Sequence, residues 1–110
     1  MGEIAEIVEA LLKFRDERDW EQFHNPKDLA LALSIEAAEL LELYLWKRHD
    51  EADRGRVKEE LADVLILALL LAEKYGFDAR EIVLEKMEKN RQKYPAEKVR
   101  GSAKKYTEYE

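Results

Sequence analysis

The sequence predicts an all-α protein, a bundle of four helices, and three observations support this. Apolar residues recur at helical spacing along most of the 110 residues. Glycine and proline number only 4 and 2, while 46% of residues are hydrophobic and 40% are charged. Short links between helices favour an antiparallel-type bundle. We expect one helical-bundle domain over residues 1–95 and a polar, basic tail over residues 96–110.

The first two helices are predicted from periodicity and from a break between them. Residues 3–18 place apolar side chains on one face of an amphipathic helix. Residues 19–26 interrupt this pattern, and Asn25-Pro26 marks a boundary, because proline disfavours helix in its predecessor and suits a first helical turn. The second helix is predicted over residues 27–48.

The third helix is predicted over residues 56–75 and the fourth over residues 79–94. Gly76 is a suitable left-handed terminator for the third helix, and Asp78 can cap the fourth, which Pro95 ends. The second half of the third helix is apolar on every side. Such a helix is buried all round, and so short a chain can hardly cover it, so we expect burial against another subunit, in a homodimer or homotetramer.

Composition and charge exclude several classes of protein. The chain has no cysteine, so disulfides and thiolate chemistry are excluded. A net charge of −6 argues against general nucleic-acid binding, although residues 86–105 hold eight Lys and Arg against two Glu. The longest apolar run, Val64–Ala72, is far below the ~20 residues of a membrane span. We expect a cytoplasmic protein without a membrane partner.

Four carboxylates lie where an apolar core would be expected. Glu36 and Glu39 on the second helix, and Glu60 and Asp63 on the third, are each spaced so that both acids of a pair project together. Ionised acids beside apolar residues are costly unless a positive charge compensates them. If the two helices pack together, the four acids form an oxygen-rich site for a hard divalent cation.

The composition of this site favours Mg²⁺, with Mn²⁺ as a possible substitute. A di-iron bundle needs Glu-x-x-His motifs on its helices, whereas His24 lies in the predicted connection and His49 just past the predicted end of the second helix. Mg²⁺ commonly completes its octahedron with water and substrate phosphates, which would also suit the basic C-terminal stretch. Trp46 lies on the flank of the predicted acidic face, two turns beyond Glu39. With Trp20 in the preceding connection, it could stack on a base.

Several strings in fixed order resemble one known family. They are Phe14–His24, Ala37–Leu43 followed by Trp46, Glu59–Ile66, Asn90-Arg91 with Tyr94-Pro95, and Lys105–Glu108. Together they resemble the MazG-like nucleoside triphosphate pyrophosphohydrolases, and the similarity is closest to the dCTP pyrophosphatase branch. The resemblance covers nearly the whole chain.

The resemblance implies Mg²⁺-dependent hydrolysis of a (deoxy)nucleoside triphosphate, such as dCTP or a modified dNTP, to the monophosphate and pyrophosphate. The metal ligands would be Glu36, Glu39, Glu60 and Asp63, and Glu39 is the first candidate to accept the proton of the attacking water. Trp20 and Trp46 would flank the base and Asn90 would contact the nucleotide. The candidates to stabilise the leaving pyrophosphate are Lys93, Arg100, Lys104 and Tyr106.

The sequence departs from the family pattern at three positions and leaves two other functions open. Ile35 replaces a glutamate that often precedes the first metal ligand, and Leu11 and Leu67 stand where polar, ligand-facing residues are expected, so the base preference stays open. One alternative is a non-enzymatic helical oligomerisation or nucleotide-binding module, in which the acids form interhelical ion pairs. Another is a hydrolase of other nucleotides or of damaged dNTPs.

Overall fold

The computed structural model describes residues 2–103, and all the regular structure in this range is helical. Four long helices are α1 (Glu3–Glu17), α2 (Pro26–Glu42), α3 (Arg54–Lys74) and α4 (Ala79–Lys93), and a short α5 covers Ala96–Val99. A single 3₁₀ turn, Glu21–Phe23, lies between α1 and α2. The all-α prediction is therefore confirmed. No described helix combines the length and apolar character needed to cross a membrane.

The chain divides into two compact units, one ending at Phe77 and the other beginning at Asp78. In the first unit α3 packs along α2 and also contacts α1. Its buried apolar side chains are Leu29, Leu43, Leu70 and Ala72. The second unit contains α4 and α5. The predicted division into a 1–95 domain and a 96–110 tail stays a prediction.

The predicted helix boundaries are confirmed where the sequence carries a capping residue. The Asn25 side chain accepts a hydrogen bond from the Asp28 N–H at 2.9 Å, and Pro26 occupies the first turn of α2. The Asp78 side chain accepts from the Glu81 N–H at 3.0 Å. Gly76 has the left-handed φ of 72° that ends α3.

The predicted extent of α2 was wrong at its C-terminal end. The helix ends at Glu42 instead of residue 48. Beyond it the chain continues as turns, each closed by a hydrogen bond from an N–H to the carbonyl three residues earlier, such as Leu45 N–H to the Glu42 carbonyl at 3.2 Å. Trp46 then adopts a left-handed φ of 63°, which an α-helix cannot contain. Trp46 is therefore not on the helix face that carries Glu39.

The start of α3 was also predicted two residues late. The Asp53 carboxylate accepts hydrogen bonds from the N–H groups of Gly55 and Arg56 at 2.9 and 3.2 Å. This is N-capping, and it allows the helix to begin at Arg54. Further along α3, Leu61 and Leu65 remain 45% and 56% exposed. One chain thus leaves apolar surface on α3 uncovered, as the sequence indicated.

Candidate functional site

Three of the four predicted acids meet between α2 and α3. One carboxylate oxygen each of Glu36, Glu60 and Asp63 lies within 4.8 Å of the others. Glu36 comes from α2, whereas Glu60 and Asp63 are one turn apart on α3, so the cluster depends on the packing of these two helices. The cluster can form because i, i+3 spacing directs both α3 acids to the same side.

Two oxygens in this cluster are buried without compensation. Oε2 of Glu36 and Oε2 of Glu60 have no hydrogen-bond partner among the described residues. Unpaired buried carboxylate oxygens cost free energy, and the like charges of neighbouring acids add to that cost. Burying these oxygens next to one another is favourable only when a proton or a cation lies between them.

A shared proton accounts for the electrostatics of the cluster when no cation is bound. The pKa of Glu36 is raised from its ordinary value of 4.5 to about 7. The largest cause is the hydrogen bond that protonated Glu36 makes to Glu60, followed by a hydrogen bond to Glu39, by burial, and by the negative charges of Glu39 and Glu60. Glu39 thus acts on the cluster through Glu36, although it is not one of the three converging acids.

The cluster suits a divalent cation. Its donors are all carboxylate oxygens, which hard ions such as Mg²⁺, Mn²⁺ and Ca²⁺ prefer. Glu36, Glu60 and Asp63 would hold such a cation, whose charge would favour the ionised form of Glu36. The three converging acids can therefore hold a divalent ion, and its identity is a separate question.

This arrangement predicts an unusual pH dependence of stability in the absence of metal. Because Glu36 binds a proton more tightly in the folded chain than in the unfolded chain, this contribution to stability is complete below about pH 4.5 and is lost as the pH rises through about 7. We expect the thermal midpoint of the metal-free protein to fall between pH 5 and 8 more steeply than that of Glu36→Gln. Equal slopes for both proteins would contradict the shared-proton interpretation.

A mostly apolar cleft of about 630 Å³ opens beside the acids, in the first unit. Both Glu36 and Asp63 line it, and so do Leu11 and Leu67, two of the three positions that depart from the family pattern. The remaining lining residues are Ile7, Ala10, Phe14, Arg15, Trp20, His24, Ile66 and Leu70. A cation site at the wall of an apolar cleft can bind a ligand that is anionic at one end and flat or apolar at the other.

Aromatic side chains form one wall of the cleft. The rings of Phe14 and Trp20 meet edge to face, with centroids 5.9 Å apart. The Arg18 guanidinium lies 3.6 Å from the centroid of the Phe14 ring, a cation–π contact. Trp20 is 45% exposed, so part of its ring is available to a ligand. Trp20, Glu36 and Asp63 thus line one cleft, and the role of Trp20 toward a base stays a prediction.

The other predicted site residues do not join this cleft in the described chain. Trp46 is fully exposed and is not among its lining residues. Asn90 and Lys93 belong to α4, and Arg100 follows α5, so all three are in the second unit. Lys104 and Tyr106 lie outside the described residues. The roles of these six residues stay predictions.

Sequence reasoning gave no role to two polar residues that line the cleft. His24 has a buried Nδ1 without a hydrogen-bond partner among the described residues, and burial, followed by the positive charges of Arg15 and Lys74, lowers its pKa. Arg15 is the buried charged residue of the described chain, with a side chain 9% exposed. Both residues belong to the string Phe14–His24, which carries part of the family resemblance. Helical periodicity alone does not distinguish Arg15 from the charged surface residues beside it.

Comparison with known families identifies the fold. The model of the MazG-like family matches residues 31–109, which include most of α2, all of α3 and all four predicted acids. The chain belongs to the MazG-like family. A solved structure, a pyrophosphatase from Archaeoglobus fulgidus, is 43% identical with a TM-score of 0.80, over 86% of this MazG-like chain and 94% of its own.

Individual relatives agree with this assignment. The chain is 46% identical over 104 residues to dCTP pyrophosphatase 1 of Mus musculus and, separately, to that of Homo sapiens. In both cases the match covers 87% of the MazG-like chain and 61% of the relative. The chain therefore spans about three fifths of the length of these relatives. The predicted resemblance to the dCTP pyrophosphatase branch is confirmed.

Proposed function

We propose that this protein is a nucleoside triphosphate pyrophosphohydrolase, which converts a (deoxy)nucleoside triphosphate to the monophosphate and pyrophosphate. The observation that carries the proposal is the cluster of Glu36, Glu60 and Asp63, with two uncompensated buried oxygens, at the wall of an apolar cleft. The names of the relatives, a pyrophosphatase and dCTP pyrophosphatases, support the same reaction class.

The acids would hold Mg²⁺, or Mn²⁺ in its place, together with the phosphates of the substrate. Glu36, Glu60 and Asp63 supply converging oxygens, and Glu39 interacts with Glu36 closely enough to help raise its pKa. When bound, the cation neutralises phosphate charge and lowers the pKa of a coordinated water. Orienting the triphosphate against these acids is the part of the reaction that the protein itself performs.

Glu39 is our candidate general base. It is half-buried and lies beside the cluster without being one of the three converging acids, so its carboxylate can accept the proton of the attacking water. Attack of this water at the α-phosphorus breaks the bond to the bridging oxygen and releases pyrophosphate. We further propose that Trp20 stacks on the base, and that Trp46 and Asn90 also contact the nucleotide.

The leaving pyrophosphate needs positive charge besides the cation. We propose that the basic C-terminal stretch provides it, as the sequence pattern indicated. The candidates for this charge are Lys93, Arg100 and Lys104, and Tyr106 is a candidate to donate a hydrogen bond to the pyrophosphate.

We propose dCTP or a modified dNTP as the substrate and a homodimer or homotetramer as the assembly. The dCTP pyrophosphatase relatives favour a deoxycytidine nucleotide, but Leu11 and Leu67 give the cleft apolar walls that offer no hydrogen bond to the edge of a base. Half-exposed Leu61 and Leu65 on α3 favour coverage by another copy of the chain.

The test is pyrophosphate release from a panel of dNTPs, NTPs and base-modified dNTPs, with Mg²⁺, with Mn²⁺ and with EDTA. We expect turnover only with a divalent cation, with the highest kcat/KM for dCTP or a modified dNTP. Thermal unfolding with and without Mg²⁺ is the parallel measurement, and the cation should raise the midpoint. If no nucleotide is hydrolysed and Mg²⁺ leaves the midpoint unchanged, the enzyme proposal fails and a helical oligomerisation module is the better description.

A further inference from the structure

The segment Arg18–His24, between α1 and α2, carries part of the cleft wall. Trp20 and His24 from this segment line the cleft that Glu36 and Asp63 also line. We call it the aromatic segment. Its apolar side chains are poorly covered, because Trp20 and Phe23 are 45% and 63% exposed. Burial of these apolar side chains within one chain therefore contributes little to fixing the position of the aromatic segment.

Charged groups supply a stronger constraint on the aromatic segment. The buried Arg15 guanidinium lies 2.8 Å from Asp16, 3.6 Å from Glu21 and 3.6 Å from Glu73. These carboxylates belong to three elements, namely α1, the 3₁₀ turn and the last turn of α3. Arg15 thus connects the aromatic segment to both helices. Its own carbonyl accepts the Trp20 N–H at 3.1 Å.

A second ion pair joins the same elements. Lys74 Nζ, at the end of α3, lies 3.5 Å from Glu21 Oε1, while the other oxygen of Glu21 faces Arg15. Glu21 is therefore shared by two cations, one buried and one largely buried, with side chains 9% and 21% exposed. Pairs with buried partners are screened less by salt than fully exposed pairs.

We propose that Arg15, Glu21 and Lys74 are positioning residues, which hold the aromatic segment against α3 and thereby set the position of Trp20 in the cleft. The proposal rests on the proposed nucleotide hydrolysis. Glu21 and Lys74 do not line the cleft, so they would affect a bound nucleotide only through the aromatic segment. Their loss should therefore weaken nucleotide binding and leave the acid cluster intact.

The decisive variant is Glu21→Gln, which removes the charge shared by both cations and keeps the size of the side chain. For the best nucleotide of the panel at saturating Mg²⁺, we expect KM to rise by about threefold to tenfold, with kcat within about twofold of the parent. Lys74→Met should raise KM in the same direction, and Lys74→Arg should restore it.

Asp50→Asn is the matched control. It removes an acid of similar exposure that pairs with Arg48 at 3.2 Å, and Asp50 does not line this cleft. We expect its KM to equal that of the parent. An unchanged KM in Glu21→Gln and Lys74→Met, or an equal rise in Asp50→Asn, would overturn the proposal.

A second readout does not depend on turnover. In a Trp46→Phe background, Trp20 is the remaining tryptophan, so acrylamide quenching reports its accessibility. Quenching should increase in Glu21→Gln and stay unchanged in Asp50→Asn, and equal quenching in all three proteins would overturn the proposal. If the parent hydrolyses no nucleotide, the proposed function fails, and quenching alone then decides whether these charges position Trp20.

Discussion

Glu36→Gln and Asp63→Asn should each reduce kcat for pyrophosphate release by about 10²- to 10³-fold or more. Each substitution removes one of the three carboxylates whose oxygens converge within 4.8 Å. A neutral amide still offers an oxygen, but it provides no charge to hold a divalent cation against the phosphates. Steady-state assays over a range of Mg²⁺ concentrations measure the effect, and excess Mg²⁺ should restore only part of the activity.

The stability of the same variants distinguishes a functional cluster from a structural one. Glu36→Gln should raise the thermal midpoint of the metal-free protein at pH 8, because it removes one of several crowded negative charges. Glu42→Gln, an exposed acid on the same helix, is the control and should leave both activity and midpoint unchanged. If Glu36→Gln lowers the midpoint and the activity together, Glu36 has a structural role that our interpretation does not include.

Leu29→Ala should lower the free energy of unfolding by about 2–5 kcal/mol. Leu29 lies on α2 and is 2% exposed, among only four buried apolar residues of the described chain. Because the total stability of a small domain is about 5–15 kcal/mol, a cavity at this position should remove a large part of it. Urea unfolding followed by circular dichroism, at one fixed protein concentration, measures the change.

Leu31→Ala is the matched control for the core prediction. It truncates a leucine on the same helix that is 57% exposed, so it should cost less than about 1 kcal/mol. Similar losses for the two variants would mean that Leu31 is buried in an assembly of chains, and that the exposure seen in one chain does not describe the core.

The sequence predicted the helices best where a local signal marks their ends. Asn25-Pro26, Asp78 and Gly76 each act on their own helix through hydrogen bonds or backbone conformation, so they can be interpreted without tertiary structure. The end of α2 carries no such signal. Its residues favour helix, yet the α-helix ends at Glu42 and turns continue the chain to Trp46, a residue that seldom adopts the left-handed conformation it has here.

The acids could be predicted because the directions of their side chains also depend on local helical spacing. Helical periodicity showed that Glu60 and Asp63 project together and that Glu36 lies on an apolar face, but it could not show which oxygens converge. Convergence depends on how α2 packs on α3, and this packing selects Glu36 and leaves Glu39 beside the cluster. Arg15 was not recognised, because two of the three carboxylates that compensate its buried charge, Glu21 and Glu73, belong to other elements that only tertiary structure brings near.

Trp46 has a consequence for the evolution of the chain. Its side chain is fully exposed, so it gains no packing within one chain, and its left-handed backbone costs roughly 1–2 kcal/mol relative to an ordinary conformation. Selection for folding alone would favour glycine or asparagine at this position. A tryptophan at this position therefore destabilises the fold of an isolated chain. If evolution retains it, the compensating benefit must come from contacts with molecules outside that chain.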